Sequence, residues 1–319
     1  MDLRQLRTFV TIAEEGTVSR AAERLHIAQP ALSRQIRALE EELGVALFDR
    51  IGGRLQLSSA GDGLLRDCRG LLNYARELAE HAQLLRRPDA GLLRVAASPH
   101  YIEGVFPEFL RMYAERFPDV HVKLADVVGP VTIGMLERGE IHFAQSTAVL
   151  AAGQSHIGTY PLESVEMLAA FHPSLPIGKG RAVEIAELAP YALLQTGAEY
   201  VIRRTFDAAC RVAGFEPNNA LESRSPQALL AMAEAGHGVA IIPSALRTQG
   251  YRLRIARVTY RKKGLSEPLH LLFDRRRPQA PYAAAFCEML ARHVKRISPI
   301  TRPGEPPRRR HGSVAAGRR

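Results

Sequence analysis

The 319-residue sequence predicts a mixed α/β fold: a small helical module with a β-hairpin wing, one long helix, and a two-lobed domain of strands and helices. Three observations predict it. Residues 3–43 carry apolar residues at helical spacing in three short runs, followed by a Gly-Gly pair flanked by arginines. Residues 58–88 hold an apolar repeat that steps four, then three, without a break. From residue 91 onward, apolar runs of strand length alternate with helical patterns.

In the first module, Leu3, Leu6, Val10 and Ala13, widened by Phe9, give one amphipathic helix over residues 3–15 that Gly16 ends. Ser19 is placed to cap a second helix through Ala21, Ala22 and Leu25. His26-Ile27-Ala28 makes a turn. Pro30 suits the first turn of a third helix, where its missing N–H would have had no partner. That helix buries Leu32, Ile36, Leu39 and Leu43 and turns Gln29, Ala31, Ser33, Arg34 and Arg37 to the open side. Amide, hydroxyl and guanidinium groups are the types that read base edges and hold phosphates. Gly44 stops the helix, Leu47 and Phe48 dock back on the bundle, and Gly52-Gly53 favours a hairpin with Arg50 and Arg54 at its tip. A plain three-helix bundle with a solvated face explains the third helix alone but not the hairpin beside it.

The stretch DLRQLRTFVTIAEEGTVSRAAERLHIAQPALSRQIRALEEELGVALFDR, continued by LSSAG, resembles the LysR-type transcriptional regulators. The likeness is close over residues 1–61 and looser to about residue 297. It implies a winged helix-turn-helix whose third helix enters the major groove of double-stranded DNA. The DNA-contact residues it implies are Ser19, Gln29, Pro30, Ala31, Ser33, Arg34, Arg37, Arg50, Arg54 and Ser58. Ser58 stands where the family usually has Thr and keeps the hydroxyl for capping or a phosphate contact.

Leu64, Cys68, Leu71, Ala75, Leu78, Ala82 and Leu85 form the long seam, with Ser58 or Ser59 as its cap and Arg86-Arg87-Pro88 as its end. A helix packed on its own domain is the competing reading. The resemblance makes this the linker helix over residues 59–89 that pairs two subunits, so that two recognition helices meet a dyad operator. It also implies a homodimer or homotetramer, RNA polymerase as a further partner, and a bacterial, cytoplasmic protein.

In the α/β part, LLRVAAS, VHVKLADV, IHFAQS, SVEMLAAF, GVAIIP and EPLHLLFD read as strands. Val105–Phe117, Ile133–Arg138, Tyr200–Ala213, Pro226–Ala235 and Tyr282–Arg296 read as helices. Two such lobes with a double crossover resemble the family's periplasmic-binding-protein-like effector domain over residues 90–297. Lobe I takes residues 91–160 and 268–297, and lobe II takes 161–267. A small-molecule effector is implied between them, near the turns at Ser98-Pro99-His100-Tyr101 and at 128–132. Ser98 keeps a hydroxyl where the family has one, and His100 stands where Thr or Ser is common. Gly129 is followed by Pro130 rather than by a hydroxyl, and Thr132 is the substitute. Gln195-Thr196-Gly197 supplies a third polar segment. The imidazole of His100 with the phenol of Tyr101 points to a carboxylate or an aromatic acid as effector. Their competing role is as ordinary turn residues.

The formal net charge of +10 is unevenly placed. Residues 1–60 hold eight basic and eight acidic residues, whereas residues 295–319 hold eight and one. Residues 298–319, rich in Pro, Gly and Arg, predict a disordered basic tail that adds sequence-independent attraction to phosphates. Solubilisation is the plain alternative. No 18-residue apolar run is present to span a membrane, and the acidic, amphipathic start is not a signal peptide. Cys68, Cys210 and Cys287 lack metal-ligand spacing and read as free thiols in a reducing compartment. G-x-S-x-G, HExxH and G-x-x-x-x-G-K-[ST] are absent, and no catalytic residue, cofactor or metal is expected. Arg261-Lys262-Lys263 and Arg275-Arg276-Arg277 read as solvated turns.

Overall fold

The computed structural model describes residues 1–51, 54–86, 90–178 and 180–304. The chain divides into an N-terminal and a C-terminal unit at about residue 87.

The N-terminal unit opens with α1 (Leu3–Glu15), α2 (Val18–Leu25) and α3 (Gln29–Leu43). A hairpin of β1 (Phe48–Ile51) and β2 (Arg54–Leu57) follows, then α4 (Ser59–Arg86). Leu6, Phe9, Ile12, Ala21, Leu32, Leu39 and Leu47 form its core, each at most 2% exposed. Leu3 lies outside that core, at 47% exposed, and the α1 stripe buries Thr8 and Thr11 as well. Thr8 donates its hydroxyl to Gln35 at 2.5 Å and Thr11 donates to the Arg7 carbonyl at 2.8 Å, which satisfies both buried oxygens.

Local chemistry sets the joints. The cap of α2 is Thr17, whose hydroxyl accepts from the Arg20 N–H at 3.3 Å; Ser19 sits inside the helix and is exposed. His26 takes φ 54° at the α2 C-cap, a left-handed conformation in which its N–H reaches back to the helix carbonyls. Glu40 reaches out of α3 to accept the N–H groups of Leu47 (2.8 Å) and Phe48 (3.3 Å), fixing the start of the wing. Ser58 caps α4: its hydroxyl accepts from the Gly61 N–H at 2.9 Å and donates to the Ala46 carbonyl at 2.6 Å. Gly61 is required there, because a Cβ would lie 2.1 Å from the Leu47 carbonyl oxygen. β1 and β2 pair from Phe48↔Leu57 to Ile51↔Arg54. The predicted turn residues Gly52 and Gly53 lie outside the described residues.

The C-terminal unit holds two lobes. Lobe I contains β3 (Gly91–Ala97), α5 (Pro99–Gly104), α6 (Phe106–Arg116), β4 (Val120–Asp126), α7 (Val131–Glu137), β5 (Phe143–Ser146) and β6 (Ile157–Pro161). Lobe II contains β7 (Val165–Phe171), β8 (Ala182–Glu184), β9 (Leu193–Gln195), α8 (Val201–Val212), β10 (Asn219–Glu222) and α9 (Pro226–Glu234), then β11 (Val239–Pro243), β12 (Arg254–Tyr260), β13 (Lys263–Gly264) and β14 (Ser266–Glu267). The chain returns to lobe I with β15 (His270–Asp274) and α10 (Pro281–Ile297).

The lobe I sheet runs β4-β3-β5-β15-β6 and the lobe II sheet runs β10-β9-β11-β7-β12-β13. The links β6–β7 and β14–β15 pass side by side, joined where the Leu162 N–H meets the Leu269 carbonyl at 2.8 Å. This is the expected double crossover. Pro268, which has no N–H to give a ladder, separates β14 from β15 where one strand was predicted. The predicted helix 105–117 likewise begins earlier, as α5, and breaks at Val105 before Pro107.

The tail prediction needs correction at its start. Residues 298–304 do not trail from α10 but run onto lobe II. Thr301 is buried; its N–H donates to the Ser244 carbonyl (2.9 Å) and its hydroxyl to the Leu246 carbonyl (2.5 Å). The Gly304 N–H donates to the Ile255 carbonyl at 3.1 Å. Residues 305–319 lie outside the described residues.

Candidate nucleic-acid interface and ligand cleft

The N-terminal half of α3 is an open polar face. Gln29, Pro30, Arg34 and Arg37 are exposed, and Ala31 and Ser33 are half-buried. Three of the acids that balance the charge of this module are committed to other cations. Glu14 and Glu15 pair with Arg24 at 3.0 and 2.9 Å, Glu14 also takes Arg69 at 3.3 Å, and Glu42 pairs with the N-terminal amine. Arg34 and Arg37 have no carboxylate partner among the described residues. Arg50 and Arg54 stand in the wing strands, but their side chains lie outside the described residues. Ser58 is buried as the α4 cap and offers no hydroxyl to a phosphate.

The seam of α4 splits into two functions. Leu64 and Cys68 pack into the core of their own unit, with Cys68 5% exposed. Further along, Leu71, Tyr74 and Leu78 are 48%, 69% and 64% exposed, Ala75 is half-buried and Ala82 exposed. Positions 71, 74 and 78 fall on one helix face. The side chain of Leu85 lies outside the described residues, as do Arg87 and Pro88.

In the C-terminal unit a cleft opens where the lobes meet, beyond the carboxyl ends of β3, β4 and β5, the place an open α/β sheet offers a ligand. Ser98, His100, Gly129, Gln145, Ser146 and Thr147 line it from lobe I. Glu199, Tyr200, Val201, Ile202 and Pro243 line it from lobe II, and Val165, Glu267 and Leu269 from the crossover. Its free space is about 60 Å³. Ser98 donates its hydroxyl to the Gln145 carbonyl oxygen at 3.1 Å, which also takes the Ser98 N–H at 3.2 Å. The same hydroxyl lies 3.1 Å from His100 Nε2. Burial alone pushes the His100 imidazole down to about 4, so it is neutral at physiological pH. His100 Nδ1 and the Thr147 hydroxyl are buried without a partner among the described residues.

Residues 3–62 match the model described as the bacterial regulatory helix-turn-helix protein of the lysR family, and residues 86–295 match the LysR substrate binding domain. The chain is a LysR-type transcriptional regulator. This regulator is 30% identical over 264 residues to the HTH-type transcriptional regulator AlsR of Bacillus subtilis (strain 168), covering 82% of this chain and 85% of AlsR. It is 28% identical to TcbR of Pseudomonas sp. (strain P51), covering 92% and 100%. The solved structure of CbnR, a LysR family regulator, superposes with a TM-score of 0.69 at 28% identity, covering 92% and 99%. CbnR in complex with its target DNA gives 0.70 at 28% identity, covering 92% and 100%. The relatives and the fold are those of DNA-binding regulators, not of enzymes. Among the described residues no helix is long and apolar enough to cross a membrane, and no group of three metal-ligating side chains occurs.

Of the regulator's predicted cleft residues, Ser98 and His100 line the cleft and the other four do not. Tyr101, 1% exposed, points into the aromatic core with its ring 5.8 Å from Phe106. Thr132 is fully buried and spends its hydroxyl on the Gly129 carbonyl at 2.8 Å. Gln195 donates its amide to Asp207 and Asn219, and the Thr196 carbonyl accepts from Arg203 at 2.9 Å. Sequence reasoning missed Gln145, Ser146, Thr147, Glu199 and Glu267. The first three had a signal: the polar run QST directly after an apolar strand, at the carboxyl end where ligands bind. The two glutamates had none: Glu199, in a turn, and Glu267, at the end of a two-residue strand, both read as solvated acids.

Proposed function

We propose that this regulator binds a two-fold DNA site sequence-specifically and changes that binding when a small molecule occupies the cleft of its C-terminal unit. The observation that carries the reading is the α3 face, where Gln29, Ser33, Arg34 and Arg37 are exposed or half-exposed and neither arginine has a carboxylate partner among the described residues. Gln29, Pro30, Ser33 and Arg34 read base edges, and Arg37 with Arg50 and Arg54 of the wing holds the backbone. The DNA complex of CbnR supports this docking by likeness. Two copies pair through Leu71, Tyr74 and Leu78 of α4, which are apolar, exposed and on one face. That pairing brings two recognition helices to two half-sites. A tetramer formed through the C-terminal units and a contact with RNA polymerase extend the same reading. The effector is a carboxylate-bearing small molecule seated in the cleft that Ser98 and His100 line. It acts by binding one arrangement of the lobes better than the other.

The test is titration of the purified regulator on the region upstream of its own gene and on a scrambled duplex, at two salt concentrations. Preference for the first, with a footprint over two half-sites on one face, is the expected result. Equal and salt-labile binding to both duplexes overturns sequence specificity and favours attraction by the basic tail.

A further inference from the structure

We propose that the effector is a compact zwitterion of the amino-acid class, held by its carboxylate at the start of α8 and at Thr147, and by its ammonium at Glu267 and Glu199. This rests on the cleft being the effector site and names what that site selects. Three independent features of the cleft lead to it.

The first is an anion-binding half. α8 is twelve residues long, its cap residue is Tyr200, and among the described residues no side-chain cap hydrogen bond closes its start. The first N–H groups of a helix have no partner inside it and carry the positive end of its dipole. Here they belong to Val201 and Ile202, which line the cleft, the arrangement that holds carboxylates and phosphates elsewhere. The second is Thr147. It lines the same cleft and is 1% exposed, and its hydroxyl has no partner among the described residues. A hydroxyl withdrawn from water without a partner is costly, so a ligand oxygen is the natural occupant of that bond.

The third is a cation-binding half. Glu199 and Glu267 both line the cleft, and no Lys or Arg does so among the described residues. The Arg203 guanidinium, on the first turn of α8, is committed to Asp207 (2.8 Å), Glu222 (2.9 Å) and the Thr196 carbonyl (2.9 Å). His100 is neutral and supplies no charge. Among the described residues Glu199 pairs with the exposed Arg224, at 3.3 Å, and Glu267 receives the Thr205 hydroxyl on one oxygen. A simple carboxylic acid would face two carboxylates with no cationic side chain between. A simple amine would leave the α8 donors and Thr147 unmatched. A molecule carrying both charges satisfies both halves. The free space of about 60 Å³ is far below the roughly 300–1,000 Å³ of drug-sized sites, which restricts it to a small side chain.

The experiment uses the full chain. Each natural L-amino acid is screened by thermal melting, and binding of any that stabilises is measured by calorimetry beside its N-acetyl derivative and its decarboxylated amine. The expected result is stabilisation by a small amino acid, with both derivatives at least about tenfold weaker, the size expected for one lost charge-assisted hydrogen bond. Glu267→Gln should weaken the amino acid about tenfold and leave the N-acetyl derivative unchanged, a coupling that a general loss of folding does not produce. Thr147→Val tests the carboxylate half in the same way against the decarboxylated amine. The inference is overturned if no amino acid stabilises the protein, if a derivative lacking either charge binds as well, or if Glu267→Gln leaves the affinity unchanged. DNA titration of the same preparation separates the two readings. Specific DNA binding without an amino-acid response removes only this inference, whereas an amino-acid response without specific DNA binding removes the regulatory reading and leaves the ligand.

Discussion

At the scale of single residues, His100 carries the plainest linkage. Burial holds its imidazole near 4 in the folded chain, against 6.5 for the free group. Between these values the unfolded chain binds the extra proton, so stability rises with pH across the window and is lost as pH falls from 6.5 toward 4. The full difference is about 3 kcal/mol. Chemical denaturation of the native chain and of His100→Gln at pH 7 and pH 4.5 should show a steeper acid loss for the native chain; parallel losses would place the titrating group elsewhere. Arg34 offers the matching test in the N-terminal unit. Arg34→Ala should weaken specific DNA binding by roughly 1–3 kcal/mol if the guanidinium meets a base edge, and an unchanged titration would mean that α3 does not dock as proposed. The thiols are quiet by contrast. Cys210 and Cys287 are buried and pushed up to about 12, so the native protein should react with a thiol reagent far more slowly than the denatured one.

At the scale of elements, the joint between the wing and α4 concentrates several constraints. Ser58, Gly61 and the Leu47 carbonyl meet there, and Gly61→Ala places its new carbon 2.1 Å from that oxygen. A loss of about 1–3 kcal/mol is expected in urea denaturation, with the far-UV spectrum retained. On α4, Leu78→Glu puts a charge on the exposed stripe without touching the core to which Leu64 and Cys68 belong; sedimentation should report monomers where the parent chain pairs. The same helix shows what the sequence could tell. Its apolar repeat was legible as a long amphipathic helix, but not its division between an inward half and an outward half. Periodicity says which residues share a face and not what covers it. Likewise α1 to α3, the wing and the alternation of strands and helices in the C-terminal unit were readable from apolar spacing, Gly and Pro, whereas the double crossover came from the family resemblance. β12 was not, because Arg254 and Arg257 interrupt its apolar run, and neither were β6, β8, β9, β10 and β13, which are too short to carry a pattern. Thr132, Gln195 and Thr196 were right in type and wrong in place. Thr132 spends its hydroxyl and Gln195 its amide N–H groups within their own lobes, and Thr196 is buried outside the residues that line the cleft.

At the scale of the whole C-terminal unit, the lobes are linked three times rather than two. Besides the crossover strands, residues 298–304 carry the chain from α10 to lobe II, and Gly104 of α5 lies against both Ala245 and this segment. A Cβ on Gly104 would stand 2.3 Å from the Ala245 carbonyl oxygen and 3.0 Å from Ile300 Cδ1. Arg247 closes the contact by donating to the Gly104 carbonyl at 3.2 Å. A chain ending at Ile297 should therefore lose roughly 2 kcal/mol against one ending at Gly304, from the hydrogen bonds of Thr301 and Gly304; equal melting of the two would show that the segment contributes no stability. Composition hid this feature. Pro, Gly and Arg read as solvent-exposed tail, and Ile300 and Thr301 are too few to signal a docked segment. The docked segment also makes a spectroscopic ruler. Lys295 and Arg302 are exposed, seven residues apart, and stand on opposite lobes, and the three native thiols are buried. Cysteines introduced at those two positions would take a pair of probes whose separation follows the opening and closing of the cleft directly, with or without DNA present.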